Sequence, residues 1–87
     1  MSPYAALLAE LLSKKLLSLR SRNRLTQEAM AEQLHISSRA YSDLERGKYC
    51  ASAATLMFLL PMLDSEEQQT LVHIFLERVQ SLEDDAA

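Results

Sequence analysis

One cysteine, Cys50, one glycine, Gly47, and two prolines are all that 87 residues carry of the residue types that cross-link or break a chain. A lone cysteine excludes an internal disulfide, and with it a small secreted disulfide scaffold. The shortage of glycine and proline removes the usual punctuation of a β fold. Few β-branched residues and many Leu, Ala, Glu, Gln and Ser favour helix instead. The longest apolar run, residues 56–63, is interrupted by Pro61 and falls far short of the ~20 residues that a membrane span needs. The first residues lack a basic region leading into an apolar run and a small-residue cleavage site. No secretory leader is therefore expected, and the cytoplasm is the expected location.

A surplus of positive charge is also missing, since the net charge is −3. The mean hides an uneven distribution, however. Residues 1–50 hold eight Lys or Arg against five Asp or Glu, whereas residues 51–87 hold one against seven. The field close to a surface is what steers a polyanion to it, so the basic N-terminal half stays open to a nucleic-acid partner. With 48% hydrophobic and 24% charged residues the chain is ordinary globular material, and its length suits one domain over residues 1–87.

Apolar spacing and capping residues predict five helices. Ser2-Pro3 starts a first helix over about 3–21, whose Leu7, Leu8, Leu11, Leu12, Leu16 and Leu19 recur at intervals of three and four. Residues 20–24 make a basic connector. Leu25-Thr26-Gln27-Glu28 reads as staple, N-cap and first turn of a second helix that ends near Leu34. His35-Ile36-Ser37 is a turn in which Ser37 caps a third helix, residues 38–46, and Gly47 ends it. Ser52 caps a fourth helix over 52–63 that Pro61 bends or stops. Ser65 and Gln68 form the capping box of a fifth, over about 66–82, with a frayed acidic tail at 83–87.

The third helix carries two distinct faces. At about 100° per residue, Ala40, Tyr41 and Leu44 share one side and Ser38, Arg39, Ser42, Asp43 and Arg46 share the other. Glu45 falls at the border, beside Tyr41. Two short helices joined by three or four residues describe a helix-turn-helix, whose second helix enters the major groove of DNA. Arginine forks onto guanine acceptors and serine bonds to bases or phosphate, so the outward set suits that task.

The segment "LTQEAMAEQLHISSRAYSDLERGK", with Leu16, Leu19 and Arg20 upstream, resembles the helix-turn-helix family of phage repressors and Cro, the XRE type. The resemblance covers residues 14–63. It implies an all-α, five-helix lambda-repressor-like DNA-binding domain, here with an extended first helix and a C-terminal helix. It also implies a sequence-specific, repressor-like transcriptional regulator of double-stranded DNA, nucleoid-associated when bound. Carried over residue by residue, it makes Ser38, Arg39, Ser42 and Asp43 base-reading, and Thr26, Gln27, Ser37, Arg46 and Lys48 phosphate-binding. It further implies a structural ion pair between Arg20 and Glu45. Three positions depart from the pattern. His35 stands where relatives usually have glycine in a left-handed turn. Tyr41 replaces Ile or Val, so its ring should be partly buried with the hydroxyl at the rim. The loop 49–54 lacks the basic residues that some repressors send into the minor groove.

The Leu-rich first and fifth helices need a cover. A symmetric homodimer through Leu7, Leu11, Leu71, Ile74, Phe75 and Arg78 is the expected one, against the alternative of a fully intrachain core. A second reading of the function is a protein-interaction or antitoxin-like module on the same scaffold, with a protein partner on those helices. Lys14, Lys15, Arg22 and Arg24 each read equally as a solvating charge and as a phosphate contact. His35 and His73 have no companions for a metal site, and no nucleophile–base or facing-acid arrangement appears. Neither cofactor, metal nor enzyme activity is expected.

Overall fold

Ser2 accepts the backbone N–H of Ala5 on its Oγ at 3.1 Å, and Pro3 occupies the first turn behind it. The computed structural model, which describes residues 1–86, begins its first helix there. Helix α1 runs Pro3–Arg22, α2 Gln27–Gln33, α3 Ser38–Glu45, α4 Ala53–Leu59 and α5 Ser65–Ala86. No strand occurs among the described residues. Thr26, Ser37 and Ser52 each cap the helix that follows, accepting N–H groups of Ala29, Ala40 and Thr55 at 3.1–3.2 Å.

The exits of the first three helices share one device. In each, a backbone N–H reaches back five residues: Leu25 to the Arg20 carbonyl, Ile36 to Ala31 and Lys48 to Asp43, at 2.9–3.0 Å. The residue before each of these donors is left-handed: Arg24 with φ 55°, His35 with φ 58° and Gly47 with φ 73°. This is the Schellman closure of a helix end, which favours glycine. Only Gly47 meets it without a side-chain penalty.

Three boundaries differ from the sequence expectation. The fourth helix stops at Leu59 and tightens into a 3₁₀ turn, Leu60–Met62, around Pro61. The capping box of α5 sits one residue earlier than the Ser65–Gln68 pairing. Asp64 accepts the Glu67 N–H at 2.7 Å, and the Glu67 carboxylate accepts the Asp64 N–H at 3.4 Å. Gln68 instead donates to the carbonyls of Leu60 and Leu63 at 2.8 and 3.3 Å, fastening the 3₁₀ turn to α5. Helix α5 continues to Ala86 through residues expected to fray. Ala87, the last residue of that expected tail, lies outside the described residues.

The core gathers where α1, α2 and α3 meet. Leu16, Leu19, Met30, Leu34, Tyr41 and Leu59 are its most enclosed side chains, each stabilising by roughly 1.5–3 kcal/mol relative to exposure. Tyr41 is more deeply placed than expected, with 0% of its surface exposed. Helix α5 packs antiparallel on α1: Tyr4 donates to Glu83 at one end and Lys15 pairs with Glu67 at the other. Along this seam Leu11 and Leu71 are buried in the chain's own core and Phe75 packs against it. These three members of the expected dimer surface thus have an intrachain cover, because the long α1 and α5 satisfy each other. Ile74 stays 36% exposed, and Leu7 and Arg78 line the seam's open side.

Candidate nucleic-acid interface

Glu45, at the last turn of α3, receives four donors. Arg20 gives it two parallel bonds, Nε to Oε2 and Nη2 to Oε1, both 2.8 Å. The Gln27 amide donates to Oε1 at 3.1 Å, and the Tyr41 hydroxyl donates to Oε2. One carboxylate therefore ties α1, α2 and α3 together and fixes the rotation of α3 about its axis. The Arg20 bonds, opposed by burial, hold the Glu45 carboxyl down at about 2 from an ordinary 4.5. Burial, aided by the bond to Glu45, pushes the Tyr41 phenol up. The same carboxylate keeps the Arg20 guanidinium protonated more firmly than usual.

With that rotation fixed, Ser38 and Arg39 are exposed and Ser42 is half-buried on the outer face of α3. Arg39 has no ion pair among the described residues. Arg46 and Lys48 are also exposed, with side chains 60% and 57% accessible, and both lean toward Asp43 at 3.0 and 3.7 Å. Thr26 and Ser37 lie exposed at the starts of α2 and α3, their oxygens taken by capping and their hydroxyl protons open to an acceptor. Gln27 is half-buried with one amide N–H on Glu45, which leaves the other.

Asp43 is the residue whose placement differs most. The helical wheel puts it on the outward face, yet it is only 5% exposed. Its Oδ2 accepts the Tyr49 hydroxyl at 2.7 Å and its Oδ1 accepts Arg46 at 3.0 Å. The chain turns back at Gly47 and lays Tyr49 over it. The Tyr49 bond leads in holding the Asp43 carboxyl below its ordinary range, and reciprocally the Tyr49 phenol is raised. Tyr49 is the site residue that the sequence reading missed. An aromatic six residues after a helical carboxylate, across a lone glycine, was the available signal.

The basic residues of the α1 flank are mostly engaged elsewhere. Lys14 pairs with Glu10 at 3.3 Å, and Lys15 and Arg22 both reach Glu67, at 3.6 and 3.2 Å. Arg24, at the left-handed end of α1, has no ion pair among the described residues. On the side of α2 and α3 this leaves Arg24 and Arg39 without an ion pair among the described residues, with Arg46 and Lys48 held beside Asp43.

Two short helices joined by a tight turn, the second presenting serines and an unpaired arginine outward from an anchored inner face, define a helix-turn-helix protein. The chain belongs to the helix-turn-helix domain family, whose model matches residues 11–64, consistent with the phage repressor and Cro type. No curated protein and no solved structure matches the chain. The family supports DNA as a partner and a role in transcription regulation. No helix among the described residues is long and apolar enough to cross a membrane.

Proposed function

We propose that the protein is a sequence-specific transcriptional regulator of the repressor kind, binding operator DNA as a homodimer with α3 in the major groove. The observation that carries this reading is Arg39, exposed and unpaired on a helix whose opposite face Glu45 anchors. Ser38, Arg39 and Ser42 read base edges, with Arg39 suited to guanine. Thr26, Gln27, Ser37, Arg46 and Lys48 hold phosphates and set register. Asp43, enclosed by Tyr49 and Arg46, acts on the neighbouring side chains and leaves base contact to the others.

Support for a homodimer comes from the seam between α1 and α5. It leaves a groove of about 300 Å³ floored by Leu11 and Leu71, with Ile74 on its wall and Lys14, Lys15 and Arg78 at its rim. A dimer of this motif reads half-sites about one helical turn apart, so a twofold operator is the expected partner. The opposite flank of α5 exposes Val72 and Leu76 at 55% and 56%, which favours the second reading, a protein partner bound on the same scaffold.

Selection of bound duplexes from a random pool tests the proposal. A palindromic consensus supports dimer, class and reading helix together. Absence of any bound duplex even at low salt, where phosphate contacts are strongest, overturns the DNA reading and leaves the protein-partner reading.

A further inference from the structure

Arg39 and Asp43 stand four residues apart on α3, the spacing at which opposite charges on a helix attract each other. They nevertheless form no ion pair. Both oxygens of Asp43 already have partners: Oδ1 has Arg46 at 3.0 Å and Lys48 at 3.7 Å, and Oδ2 accepts the Tyr49 hydroxyl at 2.7 Å. Tyr49 comes from outside the helix, and Gly47 in its left-handed conformation turns the chain so that it can reach. Tyr49 as a whole is 52% exposed, so the hydroxyl bond is poorly explained as a contribution to the core. It takes one acceptor site of Oδ2 and helps leave the carboxylate almost wholly covered, at 5% exposed, with no ion pair to the arginine one turn earlier.

We propose that Tyr49 is a specificity-determining positioning residue: by occupying Asp43 Oδ2 it keeps the Arg39 guanidinium free to reach a base. The inference rests on the DNA-binding reading. Without the hydroxyl, Asp43 Oδ2 turns to Arg39, and the arginine must break an ion pair before it can bond to DNA. The loss falls on sequence discrimination, because Arg46 and Lys48 keep their phosphate-facing positions. Tyr49 acts through Arg39 and touches no base.

The test uses two duplexes of about two helical turns: one recovered from a random pool by the wild-type protein, and a shuffled duplex of the same composition. The ratio of their affinities at fixed salt is the selectivity. Tyr49→Phe is expected to lower that ratio on the order of five- to tenfold, the scale of one hydrogen bond, with little change on the shuffled duplex. In an Arg39→Ala background Tyr49→Phe should change nothing further. Asp43→Asn, which keeps the shape and removes the competing charge, should retain selectivity alone and restore it in combination with Tyr49→Phe. A merely structural Tyr49 gives neither result, and thermal melting of each variant by circular dichroism separates loss of fold from loss of discrimination. Unchanged selectivity in Tyr49→Phe, an equal loss with and without Arg39, or a loss in Asp43→Asn overturns the proposal while the DNA reading stands. If the wild-type protein does not prefer any duplex, both fall.

Discussion

Arg20 and Glu45, twenty-five residues apart in the chain, meet through two parallel hydrogen bonds of 2.8 Å that join α1 to the end of α3. The Glu45 side chain is 8% accessible and that of Arg20 25%, so solvent screens this pair less than it screens a surface ion pair. Gln27 and Tyr41 complete the carboxylate's acceptor sites. A helix of only eight residues has too few turns to hold its own orientation by propensity. The four-donor carboxylate supplies what the length cannot.

Acid should therefore loosen the anchor in a defined window. The Glu45 carboxyl sits at about 2 in the fold against an ordinary 4.5. Between those values the unfolded chain binds more protons than the native one, so stability rises with pH and is lost as pH falls through the window. A depression of this size corresponds to about 3–4 kcal/mol at neutral pH. Urea unfolding followed at points from neutral to about pH 2 measures it. Glu45→Gln is expected to cost about 2–4 kcal/mol at neutral pH, by removing the charge opposite Arg20 and replacing one acceptor oxygen with a donor, and to flatten the slope across the window. A slope unchanged in that variant would assign the acid sensitivity to other carboxylates.

Arg39 and Lys48 should fail in different ways. Arg39→Ala removes a base contact on the proposed reading, costing about 1–3 kcal/mol on the selected duplex and relaxing preference at one base pair. Lys48→Ala should weaken binding to all duplexes alike and reduce the salt slope by about 1. Binding titrations over a range of salt, on selected and shuffled duplexes, read both. Equal effects of the two substitutions on both duplexes would remove the distinction between reader and grip.

The helices were legible because their ends are written locally. Ser2, Thr26, Ser37 and Ser52 are hydroxyl caps three residues ahead of the N–H groups they accept, and the leucine spacing of α1 needs no partner to be read. Boundaries slipped where two cap candidates stood side by side. Asp64 and Ser65 both qualify, and the charged carboxylate took the position. The depth of Tyr41 and the enclosure of Asp43 were not legible. Both depend on a residue from elsewhere in the chain: Glu45 as anchored from α1, and Tyr49 brought back across Gly47. A helical wheel assigns a face to each residue and carries no information about what folds over that face. The α1–α5 seam had the same ambiguity, since a wide leucine stripe looks alike whether its own chain or another covers it.

His35 holds a conformation that glycine would adopt more easily, with φ 58°, and its ring lies 4.3 Å from that of Phe58 at 42°. The left-handed backbone costs about 1 kcal/mol, while an aromatic contact of this kind contributes about 0.5–1.5 kcal/mol. His35→Gly should accordingly leave stability near the wild-type value. In a Phe58→Ala background, where no ring remains to lose, the same substitution should be more favourable by about 0.5–1 kcal/mol. Denaturant midpoints of the four proteins in the cycle decide it, and a coupling below about 0.3 kcal/mol would mean that the ring contact contributes nothing.

Ile74 offers a probe of the proposed dimer that leaves the fold alone. It is 36% exposed and lies outside the buried core cluster, on the wall of the groove between α1 and α5. Lys14, Lys15 and Arg78 already rim that groove. Ile74→Lys therefore adds a like charge to each half of a twofold contact and asks two cations to lose water without partners. Dimer dissociation should become at least about tenfold easier, read by sedimentation across a concentration series, with the melting temperature of the dilute protein little changed. Val72→Lys and Leu76→Lys sit on the opposite flank of α5 and should leave the dimer intact. The reverse pattern, with Ile74→Lys silent and the other two dissociating the protein, would move the twofold axis to that flank and with it the spacing of the two reading helices.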